Sequence, residues 1–499
     1  MTPFATLSNA SSVSWDAIPQ ETPENMCSSI AQAMANGARI CSFFGLPSDN
    51  SISLNSGSKT IELVAVLAHD TEDALSVIRS MPFSGSFPSL TPDHPQAHLF
   101  ERLIFEEHGL TPTGHPWLKT VRKTDTNAPW NSPFFEVAGS EIHEVAVGPV
   151  HAGIIEPGHF RFQCTGEIVH HLEIALGYQH RGIEAALTGG PFPSGIKQIE
   201  ALAGDTSIAH TTAYATNLEV LSGTEAPLQA QWVRAIALEL ERLANHTGDI
   251  GALANDVAFL PTSSACGRIR GDFLNLTALI CGNRFGRSLV TPGGCRYDLE
   301  TERACRLRER LLVSLSEVEQ AARWLWESSS SRARFERIGT LTPDDAARMG
   351  MVGPAARACG LVRDVRFDHP AGWHRFAQIP VSVWPDGDVQ ARARVRWLEI
   401  RQSGEFLKEQ LAAAPGGPLI TPMPPLMPDT LAVTLVEGWR GEVCHVAITD
   451  HQGRLRTCKV TDPSFHNWTG LALAMRNQAI SDFPICNKSF NLSYCGFDL

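Results

Sequence analysis

The chain lacks paired cysteines. Its twelve cysteines, from Cys27 to Cys495, never fall into a C-x-x-C spacing. Protein-held iron–sulfur clusters usually need closely spaced cysteines, so no cluster is expected wholly within this chain. The thiols read as structural or surface groups, since free cysteine packs as a small hydrophobe. Long apolar runs are also missing. No stretch of about 18 apolar residues appears, so no transmembrane helix is expected. Met1 to Gln20 has no basic n-region and no apolar h-region, so no signal peptide is expected. Positive charge is in deficit, with 41 Lys and Arg against 53 Asp and Glu and a net charge of -12. Phosphate binding needs a basic face, which argues against nucleic acid as a partner.

What is present fits a globular protein. Hydrophobic residues make up 43% and charged residues 19% of 499 positions, enough for a sizeable core and two or three domains. Residues 1–55 are rich in Ser, Asn, Thr and Pro and read as an N-terminal extension, with a short helix around Ser28–Ala35. Residues 56–125 read as a small α/β domain. In it, Ile61 to Leu67 is strand-like, Asp70 to Arg79 reads as a helix opened by an Asp cap, and Leu99 to His108 as a helix ending before Gly109. Residues 126–140 read as a linker, and Lys123 to Pro133 has its Asp, Asn and Pro composition.

Residues 141–499 read as one large, mostly helical domain with peripheral β-hairpins, giving an α+β chain overall. His159 to Gly166 alternates as a strand does. Gln229 to His246 carries an apolar stripe of Val233, Ile236, Leu240 and Leu243, and Thr301 to Arg323 a similar one. Arg323 to Arg337 has no clear pattern. Val433 to Val460 reads as a hairpin turning at Asp450-His451-Gln452-Gly453.

Several blocks carry a resemblance. The first is Gly148-Pro149-Val150-His151, continuing through Glu156 to Phe162. Next come Gly177-Tyr178-Gln179-His180-Arg181-Gly182-Ile183-Glu184, and Glu437-Gly438-Trp439-Arg440-Gly441-Glu442 followed by Arg456 to Val460. In this order they resemble the large subunits of energy-converting nickel–iron hydrogenases and the quinone-proximal large subunit of respiratory complex I. Phe87-Pro88-Ser89-Leu90-Thr91, Glu101-Arg102 and Gly114-His115-Pro116 resemble complex I's small accessory subunit, which is fused to the large one in formate-hydrogenlyase-type complexes.

The resemblance implies two metal-ligand motifs, E-x-x-C-G-x-C and D-P-C-x-x-C. Here they read Glu200 to Thr206 and Asp462 to Asn467, and the four ligand positions hold Ala203, Thr206, Ser464 and Asn467. Nickel and low-spin iron favour thiolates, so a metal-free site is expected. The family's quinone-binding His and Tyr positions correspond to Ile155 and Gly204. Familiar quinone geometry is therefore missing too, although quinone bound by other donors stays open.

The resemblance also assigns roles to residues that persist. Glu156 matches a proton-accepting carboxylate, and a buried Glu156 beside His151 and His159 is expected to relay protons. The alternative is a Glu paired structurally with an Arg. Arg440 and His445 match cavity-lining residues, though Arg440 alternatively braces its hairpin through a carboxylate. His180 and Arg181 begin a segment expected to face an iron–sulfur small subunit, or are plain surface residues. His210 and His466 either face the cavity or sit as satisfied core residues. The tail from Asp482 to Tyr494 is expected to stay uncut and to pack beside Ser464.

No cofactor is expected in this chain, with iron–sulfur clusters in partner subunits. The implied partners are an iron–sulfur small subunit, a ferredoxin-like subunit and membrane-arm subunits including antiporter-like proteins. The implied place is peripheral, on the cytoplasmic face of the inner membrane. Three readings compete: an electron- and proton-coupling subunit of a complex I-like oxidoreductase, a non-catalytic scaffold of such a complex, and a hydrogenase with altered ligands.

Overall fold

The computed structural model describes residues 3–48, 60–122, 134–151 and 155–499. The expected linker segment 123–133, and residues 152–154 of the first motif block, lie outside these. About 44% of the chain is helical and 19% strand, an α+β protein.

Two sheets pack face to face. One runs Ala5–Leu7, Ala74–Ser80, Ile61–His69, Arg39–Pro47, with Gln20–Glu21 added beside Ala74–Ser80. The other runs Leu455–Thr461, Gly441–Thr449, Thr430–Gly438, Ser11–Ser14. Alternation along Ile61–His69 sends Val64, Val66 and Ala68 to one face, where they meet Leu431, Val433, Leu435, Val446 and Ile448 of the second sheet. Leu63, Ala65 and Leu67 go to the other face, under the helices Pro23–Ala35 and His98–His108. The described part of the expected N-terminal extension is thus woven into both sheets.

The expected helix from Asp70 to Arg79 is not formed. Ala74–Ser80 is a strand paired antiparallel with Ile61–His69. Asp70 caps nothing; its carboxylate accepts from Arg39 Nε at 2.9 and 3.0 Å and pairs with His369 at 3.1 Å. The chain reverses at Asp73, which has φ 49°. Ladder pairing and the inter-sheet core outweigh the local cap signal. The helix ending at Gly109 is formed, and Gly109 takes φ 70° there. The expected single hairpin near the C-terminus is two, because Thr430–Gly438 and Gly441–Thr449 turn tightly at Trp439-Arg440 before the turn at Asp450.

The rest is helical. Leu228–Asp256, longer than its stripe predicts, is buried on nearly all sides. It packs with Leu260–Cys281, Thr301–Glu327 and Val389–Gln410 in one core. Arg323 to Arg337 completes the third of these helices and adds a short one, Ser329–Ala333, capped by Ser328. A small sheet of His143–Val147, His159–Thr165 and Ile168–Ala175 flanks the C-terminal helices. Among the described residues no helix is long and apolar enough to cross a membrane.

Candidate functional site

Four segments meet at the positions singled out in the sequence. They are the turn 203–206 opening the helix Ser207–Leu221, the turn Gly438–Gly441, the start of the helix Pro463–Ala474, and the tail beyond Phe490. Asp462 caps the third, accepting from Ser464 N at 2.8 Å. The opening turn of Ser207–Leu221 has no cap from Thr206. Instead the Glu241 carboxylate, from the central helix, accepts from Ile208 N at 2.8 Å.

Ala203, Thr206, Ser464 and Asn467 are all buried. Ala203 packs in an apolar cluster with Ile199, Leu202 and Tyr214. Thr206 Oγ1 accepts from Trp439 Nε1 and Arg440 Nη1, both at 3.1 Å, and donates to Asp205 Oδ1 at 3.1 Å. A hydroxyl has one proton and two lone pairs, so its capacity is filled. Ser464 Oγ accepts from Ser493 N at 2.8 Å. The Asn467 amide bridges both backbone groups of Val352, at 3.1 and 3.0 Å.

Arg440 takes the bracing role. It forms a two-pronged pair with Asp205 at 2.6 and 2.7 Å, and its Nε donates to Asn491 O at 2.6 Å. Burial alone would lower the Arg440 pKa, but Asp205 outweighs it and holds the guanidinium well above its ordinary value. The tail therefore reaches the site through both Asn491 and Ser493.

A buried chain of three titratable groups runs beside these positions. His210 Nε2 lies 3.0 Å from Asp462 Oδ2, and His210 Nδ1 lies 3.1 Å from His445 Nε2. Both histidines are fully buried. Burial, then the neighbouring His210, holds His445 well below the usual imidazole value, so it is neutral. Burial alone would raise the Asp462 carboxyl, yet the His210 hydrogen bond and Arg440 keep it low and ionised. The tautomers that satisfy all three put His445 Nε2–H on His210 Nδ1 and His210 Nε2–H on Asp462. His445 Nδ1 then has no partner.

The remaining expected residues lie apart from that chain. Glu156 is half-buried rather than buried, and accepts from Cys495 N at 3.3 Å. His151 is exposed, with Nδ1 donating to Gly148 O at 3.1 Å. The expected buried cluster of Glu156 with His151 is therefore not formed. Both sit in irregular chain before the strand His159–Thr165. His180 and Arg181 hold the tail. His180 Nδ1 donates to Asp498 O at 2.7 Å, and Arg181 donates from its backbone N to Leu499 O at 2.7 Å and from Nη2 to Cys495 O at 3.3 Å, while its guanidinium also reaches Ala201 O and Leu202 O, each at 2.8 Å.

The Asp498 carboxylate accepts from Gly177 N and Gln179 N at 2.7 and 2.8 Å. Asp498→Ala leaves both donors unmatched, and each costs about 1–3 kcal/mol when buried. Thermal unfolding of the variant is expected to show a loss of about 2–4 kcal/mol. An unchanged midpoint would mean that water replaces the carboxylate.

Comparison with known proteins fits these motifs. Residues 256–430 match the family described as the respiratory-chain NADH dehydrogenase 49 Kd subunit. The carbon monoxide-induced hydrogenase of Rhodospirillum rubrum is 30% identical over 355 residues, covering 70% of this chain and 97% of that protein. The chain belongs to the complex I 49 kDa and group 4 hydrogenase large-subunit family. Formate hydrogenlyase subunit 5 of Escherichia coli, 29% identical, spans 82% of this chain and 76% of its own length. NADH-quinone oxidoreductase subunit 4 of Thermus thermophilus is 26% identical over 69% of this chain and 90% of its own length. The fold matches a chain from the structure of an archaeal membrane-bound sulfane sulfur reductase, with TM-score 0.67, 22% identity, and 72% and 99% of the two chains covered.

Against this family, the residues present do not fit a nickel–iron centre. The four ligand positions offer a methyl, two hydroxyls and an amide, and the three polar ones already have protein partners. None supplies the soft thiolate that such a centre requires. Of the side chains that build this site, Asp205, His210 and Asp462 carry no family ligand role. Position gives the signal for two of them: His210 falls one helical turn past Thr206, and Asp462 opens the D-P motif.

Proposed function

We propose that this chain is a peripheral subunit of a membrane-bound oxidoreductase complex, handling protons without a nickel–iron site. In this reading its N-terminal α/β layer is a fused accessory-subunit domain. An iron–sulfur small subunit supplies electrons beside it, a ferredoxin-like subunit feeds that partner, and membrane-arm subunits lie below. Quinone is a candidate acceptor, held by donors other than the family pair.

One observation carries the reading: the enclosed His445–His210–Asp462 chain lies where the family's metal motifs converge. Hydrogen-bonded imidazoles pass protons by exchanging donor and acceptor roles. A proton arriving at His445 Nδ1 moves out through Nε2 to His210, and from His210 Nε2 to Asp462. Imidazole suits this because each ring takes a proton on one nitrogen as it gives one up from the other, so neither has to keep a full charge.

The test is proton uptake by proteoliposomes holding the purified complex, with electrons supplied chemically. His210→Gln keeps the size and polarity but breaks the relay. Uptake is expected to fall by a factor of about 10² or more, in line with loss of a positioned proton-transfer group. Partner cluster signals should persist. Unchanged uptake in an intact, cluster-loaded complex would favour the scaffold reading. That alternative draws on the full engagement of Thr206, Ser464 and Asn467 in internal bonds.

A further inference from the structure

A cavity of about 480 Å³, within the size range of small-molecule sites, lies between the N-terminal layer and the large domain. Four parts of the chain wall it. They are the helix His98–His108, the segment from His115 to Lys119, the strand Ile168–Ala175, and the helix Pro463–Ala474 with Arg476 just beyond it. His210, His445 and Asp462 do not line it, so it is separate from the buried proton chain.

Positive charge is in excess in this wall. Among the described residues that line it, Arg102, Lys119 and Arg476 stand against one carboxylate, Glu173. Glu173 is already committed, to Lys119 Nζ at 2.5 Å and to Phe135 N at 3.0 Å. Arg102 is half-buried. Its Nε and Nη2 donate to the carbonyls of Lys119 and Thr120 at 2.7 and 2.8 Å, which supplies no counter-charge. Its Nη1 has no hydrogen bond and is not sealed off by protein. Burial lowers the Arg102 pKa to about 10, and neither Glu106 nor Glu173 makes that up. Glu106 lies outside the wall, with its oxygens on Val121 N and Arg122 N. The Arg476 side chain is exposed and has no hydrogen bond or ion pair among the described residues.

Three of the histidines in the wall, His98, His115 and His171, add no charge at neutral pH. Burial lowers all three, His98 to about 3. A wall of one sign of charge in a low-dielectric cleft draws in the opposite sign. The remaining surface is apolar and aromatic. Leu99, Leu172, Leu176 and Met349 line it, and Trp117, Phe135 and His171 form a cluster with ring centroids 4.6 to 6.3 Å apart. A small inorganic anion would meet the charges but leave this surface uncovered, whereas an anion with an apolar body satisfies both.

We infer that this cavity is a binding site for a carboxylate carried on a flat apolar ring system. The carboxylate accepts from Arg102 Nη1, and Arg476, free to turn, adds a second cation. The ring covers the Trp117–Phe135–His171 cluster. Charge-assisted bonds from guanidinium to carboxylate are the strong ones, and here they need no existing ion pair to break.

Naphthoate and naphthamide are matched probes that share a ring and differ in charge at about pH 7.5. Saturation-transfer NMR and calorimetric titration of the full chain are expected to show naphthoate binding at least about tenfold more tightly than naphthamide. Arg476→Met, at an exposed position that spares the fold, should weaken naphthoate by about tenfold. Arg102→Met should weaken it further, with circular dichroism to check that the variant folds. Ala472→Phe fills the cavity and should abolish binding. Arg308→Met removes an exposed arginine outside the cavity and should bind naphthoate as the wild type does. Equal binding of the two probes would overturn the anionic class. No naphthoate binding to the wild type, binding that survives Ala472→Phe, or equal weakening by Arg476→Met and Arg308→Met would overturn the site itself.

Discussion

Arg357→Met is expected to destabilise the chain by about 3–5 kcal/mol, the cost of breaking a buried ion pair from one side. Arg357 is fully buried. It holds Glu399 through Nε at 2.9 Å and Nη2 at 2.8 Å, Glu437 at 2.8 Å, and Asp364 at 3.6 Å. Glu399 in turn accepts from His246 at 2.7 Å, and Arg242 stands 3.8 Å away. Removing the guanidinium leaves three carboxylates sharing fewer cations. Glu437 yields first, because burial already pushes its carboxyl up to about 7 even with Arg357 beside it. Denaturant unfolding at pH 7.5 is the measurement. Adding Glu437→Gln to Arg357→Met is expected to recover part of the loss, because a neutral amide needs no cation. Strict additivity of the two single effects would show that the charges act independently, against this account.

This network also marks the limit of what the sequence discloses. The motif positions were legible because each motif is local: Ala203 and Thr206 lie three residues apart, as do Ser464 and Asn467. Their convergence followed from the family likeness. The helix ending at Gly109 was legible for the same reason, since one glycine with positive φ closes it. The strand Ala74–Ser80 was not, because its partner strand and the second sheet decide its conformation. Arg357 and Glu399 sit in unremarkable local sequence, and Glu437 opens a motif whose likeness says nothing of its ion pair. Nothing within a few residues of any of them announces a partner 42 or 80 positions away. Glu156 shows the converse: its motif was read, but irregular backbone around it leaves the side chain half-buried.

The same contrast bears on how the site is kept. Thiolate ligands would tie the two motifs together through a metal. Here Arg440 crosses from the hairpin turn to Asp205 and Asn491, and Ser464 receives Ser493. Hydrogen bonds and one ion pair connect the four segments instead. Such an arrangement holds His210 against Asp462 without needing a bound ion.

Glu241→Gln is expected to stabilise the chain at alkaline pH, by roughly 2–5 kcal/mol at pH 8.5, with the gap closing near pH 4.5. Burial, and to a smaller degree Asp205, push the Glu241 carboxyl up to about 8 from 4.5. The backbone N–H of Ile208 opposes that shift without cancelling it. A carboxyl whose folded pKa is raised binds more protons folded than unfolded between those two values. Stability therefore falls as pH rises through that window, by up to about 1.4 kcal/mol for each pKa unit. The glutamine amide removes the titration but keeps an oxygen for Ile208 N–H, so the first turn of Ser207–Leu221 and its His210 stay in place. Unfolding midpoints of both proteins from pH 4.5 to 8.5 give the comparison. A variant whose profile parallels the wild type throughout would place the alkaline titration on another group. A variant that gains stability and keeps proton uptake would show that Glu241 holds the helix start for shape, and that the His210 relay works without its charge.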